Sequence, residues 1–143
     1  MRTFVDPGAR FVPLCAERFA FLEREYACSR SVVENGRAVL YRNRATGVKI
    51  ELHPRDDDVW ISLVRLVNGA LPPLFAYAPS HWLDLDRLLA ARAPATALAR
   101  RAPGERFTAE YLERALEERA RVLRRYASDV LSGDHAVFEE VPA

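Results

Sequence analysis

Apolar side chains recur every three or four residues near the start of the chain. They are Cys15, Phe19, Leu22 and Tyr26. Such spacing places side chains on one face of a helix, so the pattern predicts an amphipathic helix over residues 13–27. Pro13 fits the first turn of this helix, where a missing N–H costs no hydrogen bond.

Two further helices are predicted in the second half of the chain. The first covers residues 84–92, where the Asp84 carboxylate can accept a hydrogen bond from a free main-chain N–H at the helix start. The second covers residues 108–132, with Thr108 as its cap and Gly133 at the position just beyond its end that favours glycine.

The last predicted helix is long for a domain of this size. At 1.5 Å per residue it would run about 35 Å, whereas four strands spaced about 4.8 Å apart make a narrower sheet. Part of its apolar face is therefore expected to extend beyond the sheet and to pack against a second copy of the chain. The predicted assembly is a homodimer.

Between the helices, residues 30–67 carry β-prone runs separated by turn residues. Asn35 and Gly36 mark the first turn because both tolerate positive φ. Short connections favour a four-stranded antiparallel meander, followed by a connector over residues 68–82 that is rich in proline and aromatic residues. The order of these elements predicts one α+β domain over residues 1–143, with one helix before the sheet and two after it.

The register of the strands follows from their apolar positions. A slip of one residue would move every side chain to the other face, so apolar rows should align. Between the third and fourth strands this rule predicts the pairs Leu52–Val59, Ile50–Ile61 and Val48–Leu63. Between the second and third strands it predicts the pairs Val39–Leu52 and Tyr41–Ile50.

The opposite face of the sheet, called the second face below, mixes charged and apolar residues. Its predicted members are Leu40, Arg42, Lys49, Glu51, His53, Asp58, Trp60, Ser62 and Val64, followed by Leu66. In one interpretation, the connector or the short helix covers this face and Trp60 is part of the core. In the other, the face is partly open and Trp60 is the centre of a protein-binding surface, because Trp and Arg are enriched at such centres.

Composition and charge narrow the classes of partner. The formal net charge is +1, so no global field attracts nucleic acid, and Glu110–Arg114 and Glu117–Arg121 are spaced as ion pairs of a solvated helix. The longest apolar run is broken by prolines and is too short to span a bilayer. The N-terminus lacks the apolar core of a signal peptide. Nucleic acid and membranes are therefore not expected partners, and the cytoplasm is the expected location.

The cysteines and histidines do not form a recognisable catalytic or metal-binding pattern. Cys15 and Cys28 are expected to be free, buried thiols, as is usual in a cytoplasmic chain. His135 and Glu139 are four residues apart, but a third metal ligand is missing. No phosphate-binding glycine loop or nucleophile motif occurs. The sequence therefore predicts no catalytic residue, no metal and no cofactor. Lys49 is the only lysine beside twenty arginines, a bias typical of a GC-rich bacterial genome.

A resemblance to a known family covers residues 19–94. The matching segments are, in order, FLEREY, VLYRNRATGVKIEL, VWISLVRLVNGALP and WLDLDRLLAARAP. They resemble small bacterial proteins that are grouped with the immunity proteins of polymorphic toxin systems. The resemblance implies a binding protein that neutralises a toxin by occupying its active site or an exosite.

The main functional prediction is a non-enzymatic, cytosolic protein–protein interaction domain of this immunity type. One alternative is a small-molecule-binding domain, or an enzyme, with a pocket between the sheet and the helices. Another is a binder similar to secretion chaperones, because these also place a helix before a sheet; this alternative depends on the fold alone.

Overall fold

The computed structural model describes residues 7–53, 58–72 and 81–141, and in these ranges helices pack on one antiparallel sheet. The helices are α1 (Pro7–Arg18), α2 (Ala20–Tyr26), α3 (Leu85–Arg92), α4 (Ala109–Tyr126), α5 (Ser128–Leu131) and α6 (Val137–Glu140). The strands are β1 (Ser29–Val33), β2 (Ala38–Arg42), β3 (Thr46–His53), β4 (Asp58–Arg65) and β5 (Trp82–Asp84). The α+β prediction is confirmed.

Within the described ranges the sheet has five strands in the order β1-β2-β3-β4-β5, one more than predicted. The additional strand, β5, lies at the end of the predicted connector, of which residues 73–80 fall outside the described ranges. It pairs with β4 through Leu83 and Leu63. Three residues are too few for an alternating pattern to stand out, and only the approach of the chain to β4 makes this segment a strand.

The predicted register is confirmed between β3 and β4 and is wrong by two residues between β2 and β3. There, Val39 pairs with Ile50 and Tyr41 pairs with Val48. The Asn43 side chain causes the difference, because its Oδ1 accepts hydrogen bonds from the main-chain N–H groups of Ala45 (2.9 Å) and Thr46 (2.8 Å). These bonds close the β2–β3 turn over residues 43–46, before Gly47, the residue that the sequence suggested as the turn position. A shift of two residues leaves every side chain on its predicted face.

The first helix starts earlier than predicted and is broken. It begins at Pro7, so Pro13 lies inside α1 rather than in its first turn. Phe19, with φ −107° and ψ 16°, separates α1 from α2. The chain leaves α2 through Ala27, which has a positive φ of 56°.

The last helix is shorter than predicted, and its apolar stripe packs within the same chain. α4 ends at Tyr126, and the chain bends at Ala127 before the short α5. The apolar stripe of α4 is fully buried within the same chain at Leu112, Leu116 and Leu123. Because this stripe is buried within the chain, α4 offers a second copy no apolar face at these positions, and the homodimer stays a prediction.

The helix caps agree with the sequence. Asp84 accepts a hydrogen bond from the Arg87 N–H at 2.8 Å, and Thr108 accepts one from the Tyr111 N–H at 3.1 Å. Gly133, just after α5, has a φ of +102°, a conformation that residues with a Cβ rarely adopt.

One hydrophobic core joins the helices to one face of the sheet. The sheet contributes Val39, Tyr41, Val48, Ile50, Leu52, Val59, Ile61, Leu63 and Leu83. The helices contribute residues of α1 to α6, among them the stripe of α4. No residue of the second face belongs to this cluster. The described helices therefore build their core on one side of the sheet.

Candidate functional site

The second face is only partly open. The register places its predicted members on one side, since Leu40 pairs with Lys49, which pairs with Ser62. Arg42 is exposed. The half-buried members are Lys49, Glu51, His53, Trp60 and Ser62, whereas the buried ones are Leu40, Asp58 and Val64. Neither interpretation of this face is fully met: its polar part is accessible, and its apolar part is not.

The apolar part of the second face lies around Gly47. A Cβ at this glycine would be 3.4 Å from Cβ of Val64 and 3.5 Å from Cδ2 of Leu66. Both residues are buried, so Leu40, Val64 and Leu66 are not available to a partner. The expected cover, the connector, falls mostly outside the described residues.

Trp60 is held between two side chains. The Arg100 guanidinium carbon lies 4.4 Å from the centre of the indole ring, and the His53 ring lies 5.9 Å away at a tilt of 58°. Arg100 is anchored by an ion pair with Asp86 and by a hydrogen bond to the Val59 carbonyl at 3.2 Å. The indole N–H of Trp60 is buried and has no acceptor among the described residues. Trp60 is therefore a fixed, half-buried aromatic platform.

Beside Trp60 the surface is polar and concave. Lys49 bridges Glu34 at 2.9 Å and Glu51 at 3.1 Å. Burial lowers the pKa of Lys49, but its hydrogen bonds to the two glutamates outweigh burial and raise the pKa overall. A depression of about 350 Å³ adjoins this network; its lining residues are Glu34, Arg37, Glu51, Leu52 and His53.

Asp58 does not belong to the open surface, contrary to the prediction. Its Oδ1 accepts hydrogen bonds from the Tyr111 hydroxyl and from the Val59 N–H, both at 2.8 Å. Its Oδ2 accepts one from the Arg101 N–H at 3.2 Å. Burial, together with the bond to Asp58, raises the pKa of Tyr111 to about 12. Asp58 therefore joins β4 to α4 and to the segment before α4.

Arg119 completes this buried cluster and was not among the residues predicted from the sequence. It is 0% exposed and donates hydrogen bonds to the carbonyls of Val59 and Ala99, both at 3.0 Å. Its guanidinium also lies 3.5 Å from Asp58, and burial lowers its pKa. The available signal was its position on the apolar stripe of α4, three residues after Leu116, where a charged residue needs buried partners.

The cluster protects an open edge of the sheet. β5 pairs with β4 only at residues 62–64, which leaves the preceding part of β4 without a neighbouring strand on that side. Arg119 and Arg100 both donate to the Val59 carbonyl there. An unpaired buried carbonyl costs free energy. At this position the two arginines supply the hydrogen bonds that a neighbouring strand would otherwise donate.

A further cavity lies between α4 and the preceding loop. It measures about 470 Å³, and its lining residues are Ala99, Arg100, Glu105, Tyr111, Arg114, Ala115, Glu117, Glu118, Arg119 and Arg121. The predicted ion pairs Glu110–Arg114 and Glu117–Arg121 are not formed, since among the described residues no such pair lies within 4.0 Å. The cavity is lined mainly by charged side chains.

Both cysteines are poorly suited to nucleophilic chemistry. Burial raises the pKa of Cys15 to about 12 and that of Cys28 to about 11, whereas the reactive form of cysteine is the thiolate. Both thiols are free. In the part of the chain that the structure describes, no three His, Cys, Asp or Glu side chains are grouped to hold a metal ion.

The C-terminal segment is attached to the sheet through His135. The Thr46 hydroxyl donates to the Val130 carbonyl at 2.7 Å and can then accept a hydrogen bond from His135 Nε2 at 2.8 Å. Burial and the nearby Arg65 lower the pKa of His135 below its ordinary value. The folded protein therefore prefers the neutral imidazole.

This preference predicts a loss of stability in mild acid. As the pH falls through the ordinary histidine pKa of about 6.5, the unfolded chain binds a proton at His135 more readily than the folded chain does. The free energy of unfolding should therefore decrease between about pH 7 and pH 5. Urea unfolding across this range should show a smaller decrease for His135→Gln, and an equal decrease in the variant would contradict the assignment.

No helix in the described ranges is long and apolar enough to cross a membrane.

Comparisons with known proteins give no relative that would guide the interpretation of the site. No protein-family model matches the chain, and neither curated proteins nor solved structures give a match.

Proposed function

We propose that the protein is a non-enzymatic protein-binding domain of the immunity type, and that it recognises a protein partner through the open part of the second face. Trp60, clamped between Arg100 and His53, is the observation that carries this proposal. The binding surface comprises Trp60, His53, Arg100, Glu51 and Lys49.

The chemistry of this surface suits protein recognition. Tryptophan and arginine are the residues whose truncation most often costs 2 kcal/mol or more in protein complexes. A rigid side chain loses little conformational entropy on binding, and Trp60 is already held by its two neighbours. The ion pairs of Lys49 with Glu34 and Glu51 surround it with a polar rim, as is usual around the centre of an interface.

The Trp60→Ala variant separates a binding role from a folding role. Because Trp60 is half-buried and stacks on one arginine, we expect the free energy of unfolding to fall by only about 1–2 kcal/mol. Affinity for a captured partner should fall by roughly 30-fold or more, which corresponds to about 2 kcal/mol. Quantitative capture from native cells with wild type and variant measures this difference.

Arg125→Ala is the matched control for that experiment. Arg125 is exposed on α4 and does not line the cavity that Arg100 lines, so the control should capture the same partner as wild type. If thermal melting shows that Trp60→Ala lowers the free energy of unfolding by about 3–5 kcal/mol, Trp60 is part of the core and the proposal is contradicted. The immunity-type assignment predicts an adjacent toxin or secretion gene, whereas an isolated metabolic operon would count against it.

Small-molecule binding is the second candidate, and the cavity beside α4 favours it. Its volume of about 470 Å³ is within the range of ligand pockets, and the Tyr111 and Arg119 side chains converge on it. Ligand pockets are usually lined by apolar residues, however, and this one is mainly charged. Arg119 also uses its donors within the protein. Protein binding is therefore the better supported function.

A further inference from the structure

β1 presents main-chain hydrogen-bonding groups at an open edge of the sheet. Among the strands of the described ranges it pairs only with β2. The Leu52 N–H donates to the Arg37 carbonyl and the Asn43 N–H to the Thr46 carbonyl, so the odd-numbered residues of β2 are bonded to β3. By the alternation of an antiparallel ladder, the even-numbered residues of β2 are bonded to β1. The N–H and C=O groups of Arg30 and Val32 then point away from the sheet.

The sequence of β1 does not block this edge. Its residues from Ser29 to Val32 are exposed, and Val32 is 51% exposed. Natural sheets protect their edges with proline, charged side chains, bulges or a covering element. β1 contains no proline, has Arg30 as its one charged residue and is five residues long, close to the usual length of a strand. It is therefore able to accept another strand.

A basic depression adjoins one end of this edge. It measures about 360 Å³, and its lining residues are Ala27, Ser29, Arg42, Asn43, Arg44 and Gly69. None of them is acidic. Among the described residues no carboxylate lies within 4.0 Å of the Arg42 or Arg44 guanidinium, and both arginines are exposed. The depression therefore has two cations that no described acidic side chain neutralises.

The floor of the depression is rigid. Asn43 Nδ2 donates to the carbonyls of Tyr26 (3.1 Å) and Leu131 (3.0 Å). Its Oδ1 accepts hydrogen bonds from the main-chain N–H groups of Ala45 and Thr46. With both polar atoms of its side chain in hydrogen bonds, Asn43 fixes the main chain between Arg42 and Arg44.

We propose that the edge of β1 binds an extended, acidic segment of a partner protein. The segment adds a strand by hydrogen bonding to the main chain of Arg30 and Val32, and its carboxylates bind Arg42 and Arg44. An added strand lies about 9–10 Å from β2, a distance that an extended arginine and a glutamate cover together. This inference rests on the proposed protein-binding function and assigns it a second surface.

A second copy of this chain fits the edge less well. Antiparallel pairing of β1 with itself about Ser31 would bring Glu34 of the copy towards Ser29 and Arg42. Glu34 has a positive φ of 53°, which turns the chain out of the strand direction, and its carboxylate is paired with Lys49. A copy therefore supplies no free carboxylate to the depression, whereas an acidic segment supplies several.

The test uses a labelled peptide of roughly nine residues that alternates glutamate with threonine, long enough to cover a strand. Fluorescence anisotropy with the full chain should show binding at least about tenfold tighter than for the peptide with lysine in place of glutamate. Binding should also weaken as salt is raised. Equal binding of both peptides, or no binding of either at about 1 mM, would overturn the proposal.

Two pairs of variants locate the site. Val32→Pro removes an outward-pointing N–H and should abolish binding, whereas Val32→Ala keeps that group and should bind. The double variant Arg42→Glu/Arg44→Glu should lose binding at least about tenfold, whereas Arg114→Glu/Arg121→Glu, with the same change of charge on α4, should not. Thermal melting verifies that each variant is folded. Loss of binding in the α4 variant, or retention in Val32→Pro, would overturn the assignment.

Two further measurements separate this inference from its alternatives. Light scattering that shows a dimer dissociated by Val32→Pro would assign the edge to a second copy and overturn the proposal. Trp60→Ala should bind the peptide as wild type does, because Trp60 lies on β4, three strands away from β1. If Trp60→Ala loses a captured partner while no variant affects the peptide, the β1 proposal fails and the proposed function stands.

Discussion

Replacing Arg119 by alanine is expected to lower the free energy of unfolding by about 3–5 kcal/mol. The side chain is fully buried and donates to the carbonyls of Val59 and Ala99. Its removal leaves both carbonyls without that donor and leaves the Asp58 carboxylate without its nearest buried cation. For a domain of this length, the melting temperature should fall by roughly 10–20 °C.

The control for this prediction lies on the same helix. Arg121 is exposed, and Arg121→Ala should change the free energy of unfolding by less than about 0.5 kcal/mol. A double-mutant cycle adds Asp58→Asn, which removes the buried charge but keeps the side-chain volume. The double variant should be more stable than the sum of the two single losses predicts. A loss below about 1 kcal/mol in Arg119→Ala would show that the buried cluster does not hold β4 to α4.

Leu116→Ala is expected to lower the free energy of unfolding by about 2–5 kcal/mol. Leu116 is 0% exposed and lies in the core that joins α4 to the sheet. Alanine would leave a cavity there, because the strands of the sheet cannot move in to fill it. Chemical unfolding monitored by circular dichroism measures the loss.

The same variant tests the homodimer that the sequence suggested. If the apolar face of α4 is core within one chain, the midpoint of unfolding is independent of protein concentration for wild type and variant. If that face were a subunit interface, the midpoint would rise with concentration in wild type, because association stabilises the folded state by mass action. Leu116→Ala would then remove that dependence, which would contradict the packing described for α4.

The sequence was informative about the faces of the sheet and less so about the turns. Every residue of the second face lies on its predicted side, although the β2–β3 pairing is shifted by two residues. A face is set by alternation along one strand, which is a local property. The shift comes from the Asn43 side chain, and a glycine-containing turn does not reveal which hydrogen bonds a neighbouring asparagine makes.

The candidate site was predicted in part. Trp60 and His53 were expected on the second face, and the structure places them there in contact. Arg100 was not expected beside them, because it comes from a loop about forty residues later, with no periodic pattern to position it. Asp58 alternates with Trp60 along β4, yet at the end of the strand its carboxylate is held by Tyr111 and Arg101. The alternation of side chains along a strand predicts the face on which a residue lies. It does not predict the hydrogen bonds that a residue at the end of the strand makes.

The sequence by itself determined the α+β class, the antiparallel meander, the caps of α3 and α4 and the two faces of the sheet. Each depends on residues near one another in the chain: periodic apolar positions, a capping side chain or a turn. Only the tertiary structure decided that β5 pairs with β4, that α4 ends at Tyr126 and that Arg119 is buried beside Asp58. These features depend on groups distant in sequence, because a buried charge or an open strand edge takes its partner from whichever segment the fold brings close.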